Sequence, residues 1–371
     1  MKATRALTES SAAFADLGTF LPLVVGLIVL AGVDPIGLLY GFGLFALGTA
    51  LFYRRPIPVQ PMKATAAMAV AGMIGTEVLI ATGMLLGLTL IILSQTELTL
   101  KLKRLIPPTI LHGMRAALAL TLIANAYAIG VISLYWTAAL LILLIGLQFT
   151  VLRALSGLLI LALGWAALGS TQMPAATMDA ISLPELQIPQ LTAFASALEL
   201  AYLPQLALTL TNALILTAVI AQDYFPNDRK PANEKRLALS SGVANFLLAP
   251  FGAIPMCHGA GGLSAHHAMG SRTGWSIAIF GTTCILLAAL FGEQVAHILT
   301  AVPLEVVAVL VLFASWHLAE PAKILKVRPS CQLIIAAMTI VALWGGLLTA
   351  LVVGVALEWS ITKYTQMKTT L

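Results

Sequence analysis

Apolar stretches of membrane-spanning length recur along the whole chain and are separated by short polar connections. One helix needs roughly 20 residues to cross the hydrocarbon core of a bilayer. The pattern therefore predicts an all-α polytopic membrane protein with about 14 transmembrane segments, two of them interrupted by proline. The predicted spans are 17–30, 36–53, 58–75, 78–95, 105–123, 131–149, 151–169, 200–221, 237–251, 254–271, 275–291, 297–316, 331–345 and 346–361.

The composition agrees with this pattern and leaves no room for a soluble regulatory domain. Hydrophobic residues make up 60% of the chain, charged residues make up 9%, and the mean hydropathy is +0.97. Such values exclude a soluble globular protein. The three cysteines, Cys257, Cys284 and Cys331, lie in apolar or motif-like surroundings, so we expect no disulfide framework.

The positive charges predict the orientation of the chain. With both termini in the cytoplasm, nearly every lysine and arginine falls in an inner connection. The outer connections, near residues 34, 75, 126, 170–195, 293 and 345, hold none, as the positive-inside rule requires. The net charge of +5 thus reports topology in a cell membrane, the inner membrane of a bacterium, and no nucleic-acid partner. Two cations, Lys63 and Arg115, do not fall in an inner connection. We expect Arg115 to extend to the inner interface.

Two pairs of similar segments predict an internal repeat. LGTFLPL at 17–23 is echoed by LAYLPQL at 200–206, and PVQPM at 58–62 is echoed by PMCHG at 255–259. Each half holds seven predicted spans, an odd number, so the second half must enter the membrane from the opposite face. We therefore expect inverted repeats at 1–169 and 196–371, joined by an extracytoplasmic connection at 170–195.

The proline-rich segments predict two half-helices that meet at the membrane midplane. Pro58, Pro61 and Pro255 interrupt their spans, and such breaks persist in hydrocarbon only where protein or a water-lined cavity satisfies the backbone. Helix N-termini carry free N–H donors and a partial positive charge, which together make an anion site. Lys63 would add a full cation. The alternative is that the glycines form a packing face and Lys63 reaches lipid headgroups.

Four separated motifs resemble the molybdate transporter family, which is related to the sulfate-permease anion transporters. They are DLGTFLPLVVGL at 16–27, PVQPMKATAA at 58–67, LPQLALTLTNALI at 203–215 and PMCHGAGGLSAHHAMGSRTG at 255–274. The resemblance implies fourteen helices in two inverted seven-helix repeats, divided into a core and a gate domain. It also implies molybdate as the substrate, held between the third and tenth helices.

Carried over position by position, the resemblance implies a set of substrate-binding residues. On the third and tenth spans these are Gln60, Met62, Lys63, Ala64, Thr65, Cys257, His258, Gly259, Ala260 and Gly261, and on the first and eighth spans they are Thr19, Gln205, Thr211 and Asn212. His258 could donate to the anion, titrate near neutral pH or cap a helix. Thr211 and Asn212 could instead bond neighbouring helices. Asp16 could carry a coupled proton, but its position at a helix start favours a capping role.

These patterns predict a secondary transporter that imports a tetrahedral oxyanion by alternating access. The resemblance implies that this oxyanion is molybdate. A sulfate or other anion carrier and an anion channel stay as alternatives, and a nucleobase symporter is a weaker one, since Gln205 and HGAGG stand where such proteins place glutamates. No HExxH or GxSxG motif indicates an enzyme. Molybdate, with tungstate or sulfate as options, and the lipid bilayer are the expected partners. A homodimer is left open, and no cofactor or metal is expected.

Overall fold

The computed structural model describes residues 2–70, 72–97, 107–130, 133–150, 152, 155–168, 181–300, 302–319 and 321–370, and most of these residues are helical. Two short strands, β1 (Gln60–Pro61) and β2 (Met256–Cys257), pair with each other. The helices are α1 (Lys2–Ala12), α2 (Leu17–Val29), α3 (Pro35–Tyr53), α4 (Lys63–Val70), α5 (Thr76–Gln95), α6 (Pro108–Gly130), α7 (Leu134–Gln148), α8 (Ser156–Leu168), α9 (Leu191–Tyr224), α10 (Glu234–Leu248), α11 (Ala260–Ala268), α12 (Trp275–Phe291), α13 (Val295–Thr300), α14 (Leu304–Ala319), α15 (Pro321–Ile324) and α16 (Pro329–Thr370).

Several helices are apolar enough to span a membrane, which confirms a multi-pass membrane protein at that coarse level. Five are long enough by themselves, Pro35–Tyr53, Thr76–Gln95, Leu191–Tyr224, Trp275–Gln294 and Pro329–Gly346. Shorter apolar helices also lie at predicted spans, among them Leu134–Gln148 and Leu304–Phe313. The count of fourteen crossings, the inverted repeat and the orientation stay predictions. Residues 170–180 of the predicted outer connection lie outside the described ranges.

Local sequence explains where individual helices begin and end. At the start of α3, the Asp34 carboxylate accepts from the backbone N–H groups of Ile36 (3.0 Å) and Gly37 (2.8 Å), and Pro35 occupies the first helical position. Both features are favoured at a helix N-terminus. Within α16, Gly346 has φ 76°, so the helix is interrupted there, at the predicted boundary between the last two spans.

The helices pack around two buried apolar clusters. In the first, α3 lies against α12, and the rings of Phe20 and Phe42 meet edge to face at 4.8 Å. In the second, α6 lies between α14 and α16 and buries Met114, while α9 contributes Leu214 and Leu216. The two clusters place α2, α4, α9 and α11 at the centre of the molecule, next to the paired strands.

Both proline-rich segments interrupt their helices, which confirms the predicted breaks. The strands run antiparallel, with Gln60 opposite Cys257 and Pro61 opposite Met256. The Met62 N–H donates to the Pro255 carbonyl at 2.9 Å. The helices α4 and α11 begin two and three residues after the ends of their strands. Their N-terminal ends therefore lie side by side.

The structure gives Arg115 an ion-pair partner within the protein, and its predicted reach to the inner interface stays a prediction. Its side chain is 3% exposed and its guanidinium pairs with the Asp223 carboxylate at 2.5 Å. Lys323 lies 3.9 Å from the same carboxylate. A buried cation needs a nearby anion, because desolvation without one costs several kcal/mol. Asp223, whose side chain is 40% exposed, supplies that anion from the end of α9, so Arg115 joins α6 to α9.

Candidate functional site

The unwound backbone at the breaks is held by side chains from α10. The Asn245 amide donates to the Met256 carbonyl (2.5 Å) and accepts from the Met256 N–H (2.7 Å). Together with the strand pairing, this amide gives hydrogen-bond partners to backbone groups that have no helical ones. Such satisfaction is what permits irregular backbone inside a membrane protein. The β2 strand is therefore fixed before any ligand binds.

His258 clamps the two breaks together. One ring nitrogen, Nδ1, lies 2.9 Å from the Pro58 carbonyl, and Nε2 lies 2.7 Å from the Ser240 hydroxyl, which is 2.8 Å from the Tyr53 hydroxyl. The residue is fully buried. Because both nitrogens have protein partners, His258 neither caps a helix nor has a donor free for an anion in this conformation. The structure thus gives His258 a positioning role in place of the expected direct contact.

The start of α4 is capped by the side chain of Gln205 from α9. Its Oε1 accepts from the N–H groups of Ala64 (2.9 Å) and Thr65 (3.3 Å), and its Nε2 donates to Thr209 (3.0 Å). The Thr65 hydroxyl donates to the Met62 carbonyl at 2.8 Å. Segments of π-helix flank Gln205 in α9, at Ala197–Tyr202 and Thr209–Leu216. Such segments are frequent at functional sites.

The start of α11 faces a carboxylate from the segment before α2. The Gln60 amide donates to Asp16 Oδ2 (2.6 Å) and to the Thr19 hydroxyl (3.0 Å), and Thr19 in turn donates to Asp16. A Cβ at Gly259 would collide with the Gln60 amide, and one at Gly262 would collide with the Asp16 carboxylate. Glycine is required at these two positions because the side chains from the facing segments approach the α11 backbone so closely.

This geometry corrects the favoured role of Asp16. Although Asp16 occupies the N-cap position of α2, its side chain accepts no hydrogen bond from the backbone of that helix. Its oxygens are used instead by Gln60 and Thr19, next to α11. The capping prediction is therefore wrong, whereas the proton-carrying role stays a prediction.

Lys63 is the cation of the site. Its side chain is partly buried at the first position of α4 and makes no hydrogen bond or ion pair within the described part of the chain. It interacts through space with Asp16 and Cys257. Cys257 is 7% exposed and lies opposite Gln60 in the strand pair. The ammonium thus keeps its hydrogen-bond donors available beside two helix N-termini.

The predicted residues divide into those at the helix starts and those further away. Around the two starts lie Asp16, Thr19, Gln60, Met62, Lys63, Ala64, Thr65, Gln205, Cys257, His258, Gly259, Ala260 and Gly261. Thr211 instead bonds its own helix through the Ala207 carbonyl (3.0 Å), and neither it nor Asn212 has a hydrogen bond to either start. Oδ1 of Asn212 is buried without a hydrogen-bond partner among the described residues.

Three residues that support the site were not predicted, namely Thr209, Ser240 and Asn245. Thr209 follows Gln205 by one helical turn, a spacing at which side chains meet, so the sequence carried a signal for it. Asn245 is an amide within the apolar part of α10, which is also a usable signal. Ser240 gives no such indication, because a serine in a membrane helix commonly bonds its own backbone.

The arrangement suits a compact anion. At the start of α11, the N–H groups of Ala260, Gly261 and Gly262 have no acceptor within the helix. The Gln60 amide and the Lys63 ammonium stand beside them. The backbone N–H groups and the ammonium provide directed donors, a helix dipole and one full positive charge, while both donors of the Gln60 amide are held by Asp16 and Thr19. The fold and site together define a multi-pass membrane protein of the anion-transporter class.

Comparison with known proteins identifies the family. The family model described as "Molybdate transporter of MFS superfamily" matches residues 8–122 and 197–318, so the chain belongs to this molybdate transporter family. Molybdate transporter 2 of Arabidopsis thaliana is 28% identical over 370 residues, which cover 85% of this chain and 79% of that protein. The family and its relatives are transporters and not enzymes.

Solved structures of anion transporters share the fold. The transmembrane domain of the cyanobacterial bicarbonate transporter BicA matches with a TM-score of 0.59 and 18% identity, over 94% of this chain and 97% of that chain. The murine anion transporter Slc26a9 matches with a TM-score of 0.61 and 12% identity, over 96% of this chain and 68% of that chain. At these identities the likeness shows the fold alone.

Proposed function

We propose that this chain is a secondary transporter that imports molybdate by alternating access. Its membership of the molybdate transporter family supports the substrate. The observation that carries the site is the pair of adjacent helix starts, α4 and α11, with the unpaired Lys63 ammonium and the Gln60 amide beside them. Tungstate and sulfate, which are also tetrahedral dianions, are the other substrates to be compared.

In this proposal the anion lies against the first turn of α11. Backbone N–H groups of Ala260 and Gly261 and the Lys63 ammonium hold its oxygens, and the Gln60 amide joins them once it releases one of its two donors from Asp16 or Thr19. Charge-assisted hydrogen bonds of this kind are worth about 1.5–3 kcal/mol each. Gln205 and His258 do not touch the anion but fix the helix starts that do. Gln205 is assigned to positioning because its oxygen caps α4, and His258 because its ring holds the Pro58 carbonyl.

The charges near the site explain how it can stand empty. A partly buried ammonium is costly without an opposite charge, and Asp16 supplies one through space. A dianion that binds beside Lys63 takes over part of this role. Asp16 then becomes an excess negative charge next to the anion, which uptake of a proton would remove. We therefore propose Asp16 as the proton-coupling residue.

The movement in this proposal takes place between two groups of helices. The core domain would contain α2–α5 and α9–α12, which carry the site, and the gate domain would contain α6–α8 and α14–α16. We propose that the two repeats, 1–169 and 196–371, each contribute helices to both groups. Both termini would be cytoplasmic in a cell membrane. The extensive packing of α6 against α14 and α16, and of α3 against α12, supports this division.

The test is transport by the purified chain in proteoliposomes. Labelled molybdate uptake should saturate, support counterflow and be inhibited by tungstate more than by uracil. Lys63→Ala and Gln60→Ala should each weaken molybdate binding by about tenfold or more, since each removes a charge-assisted contact. Lys326→Ala is the matched control, because Lys326 is an exposed lysine outside the site.

Three results would each contradict part of the proposal. Competition by uracil without uptake of molybdate would assign a different substrate. Single-channel currents without counterflow would make the protein a pore. Unchanged molybdate affinity in both Lys63→Ala and Gln60→Ala would place the binding site elsewhere in the molecule.

A further inference from the structure

We infer that a cavity at one end of α3 and α12 binds a membrane glycerophospholipid, with the lipid phosphate on Arg54. The cavity has a volume of about 850 Å³ and lies between α1, the last turn of α3 and the first turns of α12. It is separate from the anion site and is lined by other residues. The inference does not depend on the transport proposal.

The position of the cavity is that of a membrane interface. Its rim lies on the face that carries Arg54, Arg55 and Arg272, the basic face that the charge pattern assigns to the cytoplasm. The helix α1, which forms one wall, has only eleven residues and an amphipathic sequence. It is too short and too polar to span a bilayer, and such helices lie in the interface plane. A ligand in this cavity therefore has direct access to lipid.

Arg54 is a cation without a protein partner. Its guanidinium makes no hydrogen bond, ion pair or ring contact with the described residues. The next residue, Arg55, differs because it pairs with Asp228 and lies over the Phe225 ring. Arg54 also has φ 54°, the one positive value at a non-glycine residue in the described ranges. Glycine or asparagine usually holds this place after a helix, so the arginine side chain is retained at a conformational cost.

The walls beside Arg54 are apolar and suit an acyl chain. Leu51 is 78% exposed and Trp275 is 69% exposed, and both line the cavity together with Ala278 and Ile279. Tryptophan is enriched at membrane interfaces, where its ring meets both headgroup and hydrocarbon. One cation above an apolar groove matches the order of phosphate and acyl chain in a phospholipid.

A negative charge at the base of the cavity argues against a free dianion as the ligand. Glu9 lines the cavity but is only 3% exposed, and its oxygens accept from the Arg272 and Thr273 backbone and from the Ser271 hydroxyl. This carboxylate would repel a dianion more than a phosphodiester, which carries a single negative charge. The geometry thus favours a lipid phosphate over free phosphate or the transported oxyanion.

The experiment is native mass spectrometry of the full chain, released from detergent micelles that contain palmitoyl-oleoyl phosphatidylglycerol. Arg54→Gly removes the guanidinium and suits the left-handed backbone, so folding is retained. We expect it to lower the amount of bound lipid by about fivefold or more, the loss of one charge-assisted contact. Arg229→Gly is the matched control, since Arg229 is an exposed loop arginine on the same face outside the cavity.

Three further measurements complete the test. Ala278→Phe should also reduce lipid binding, because it fills the apolar wall without changing any charge. Diacylglycerol, which lacks the phosphate, should bind weakly, and inorganic phosphate should not displace the phospholipid. Equal lipid retention by Arg54→Gly and Arg229→Gly would overturn the inference. Displacement of the lipid by inorganic phosphate would assign the cavity to a free anion instead.

Discussion

The starts of α4 and α11 are built alike but are completed by different chemical groups. Each follows a two-residue strand, and each receives an oxygen acceptor from the opposite half of the chain. Gln205, from the second half, accepts from the N–H groups of α4. Asp16, from the first half, lies against Gly262 of α11. One helix start therefore faces a neutral amide, and the other faces a carboxylate.

The difference indicates that the two helix starts have different roles. An amide keeps the same charge at every physiological pH, so Gln205 can only hold α4 in place. A carboxylate can lose its charge by taking up a proton, and here it stands beside the donors that we assign to the anion. The α4 end is thus the fixed part of the site, and the α11 end is the part that can respond to both a proton and an anion.

The largest effect is expected when the neutral end is given a charge. Gln205→Glu keeps an oxygen acceptor for Ala64 and Thr65 but adds a carboxylate. A carboxylate about 6 Å from one negative charge costs about 2–3 kcal/mol at an effective dielectric constant of about 20, and molybdate carries two such charges, so it should bind at least about a hundredfold more weakly. Calorimetric titration of the purified chain measures this affinity.

A matched control separates this effect from added charge in general. Gln190→Glu introduces the same group at an exposed position ahead of α9. It should leave both affinity and melting temperature unchanged. Wild-type affinity in Gln205→Glu would mean that the α4 end does not lie near the anion.

A smaller effect is expected when the α11 end is crowded without any change of charge. A methyl group at residue 259 collides with the Gln60 amide, which is 2% exposed and held by Asp16 and Thr19. Gly259→Ala should therefore displace this amide and weaken molybdate binding by about tenfold, the value of one hydrogen bond to a charged group.

Gly48→Ala is the control for this substitution. Residue 48 is also a glycine, but a Cβ there meets no atom within 4 Å. Its affinity should equal that of the wild type. A similar affinity in Gly259→Ala would show that the Gln60 amide is not a ligand of the anion.

The sequence predicted the backbone of this comparison better than its side chains. Pro61 and Pro255 act on their own neighbours, so the interrupted helices could be predicted without tertiary information. The contacts of Asp16 with Gln60 and of Arg115 with Asp223 join segments far apart in the chain. Local preference suggested a cap for Asp16, which tertiary pairing overrode, and it gave no indication that Asp223 would be the partner of Arg115. The carbonyl partner of His258, Pro58, was equally beyond local reasoning.

The smallest change in affinity is expected when the carboxylate at α11 is neutralised, so that both helix starts face neutral groups. This substitution is also the sharpest test of the comparison. Asp16→Asn keeps an acceptor for Gln60 and removes the charge. If protonation of Asp16 accompanies binding, wild-type affinity for molybdate rises as the pH falls from about 8 to about 6, because the neutral acid no longer repels the anion. Asp16→Asn should bind a few-fold more tightly than the wild type at about pH 8 and show no such dependence.

Transport separates binding from coupling in the same variant. In proteoliposomes, Asp16→Asn should still exchange labelled molybdate for unlabelled molybdate but should not accumulate it when a proton gradient is imposed. Glu293→Gln, a neutral replacement of an exposed carboxylate, should behave like the wild type in both assays. Gradient-driven accumulation that persists in Asp16→Asn would remove the proposed role of this carboxylate. The two helix starts would then differ only in which side chain holds them, because the charged acceptor at α11 would serve, like Gln205 at α4, to fix the backbone.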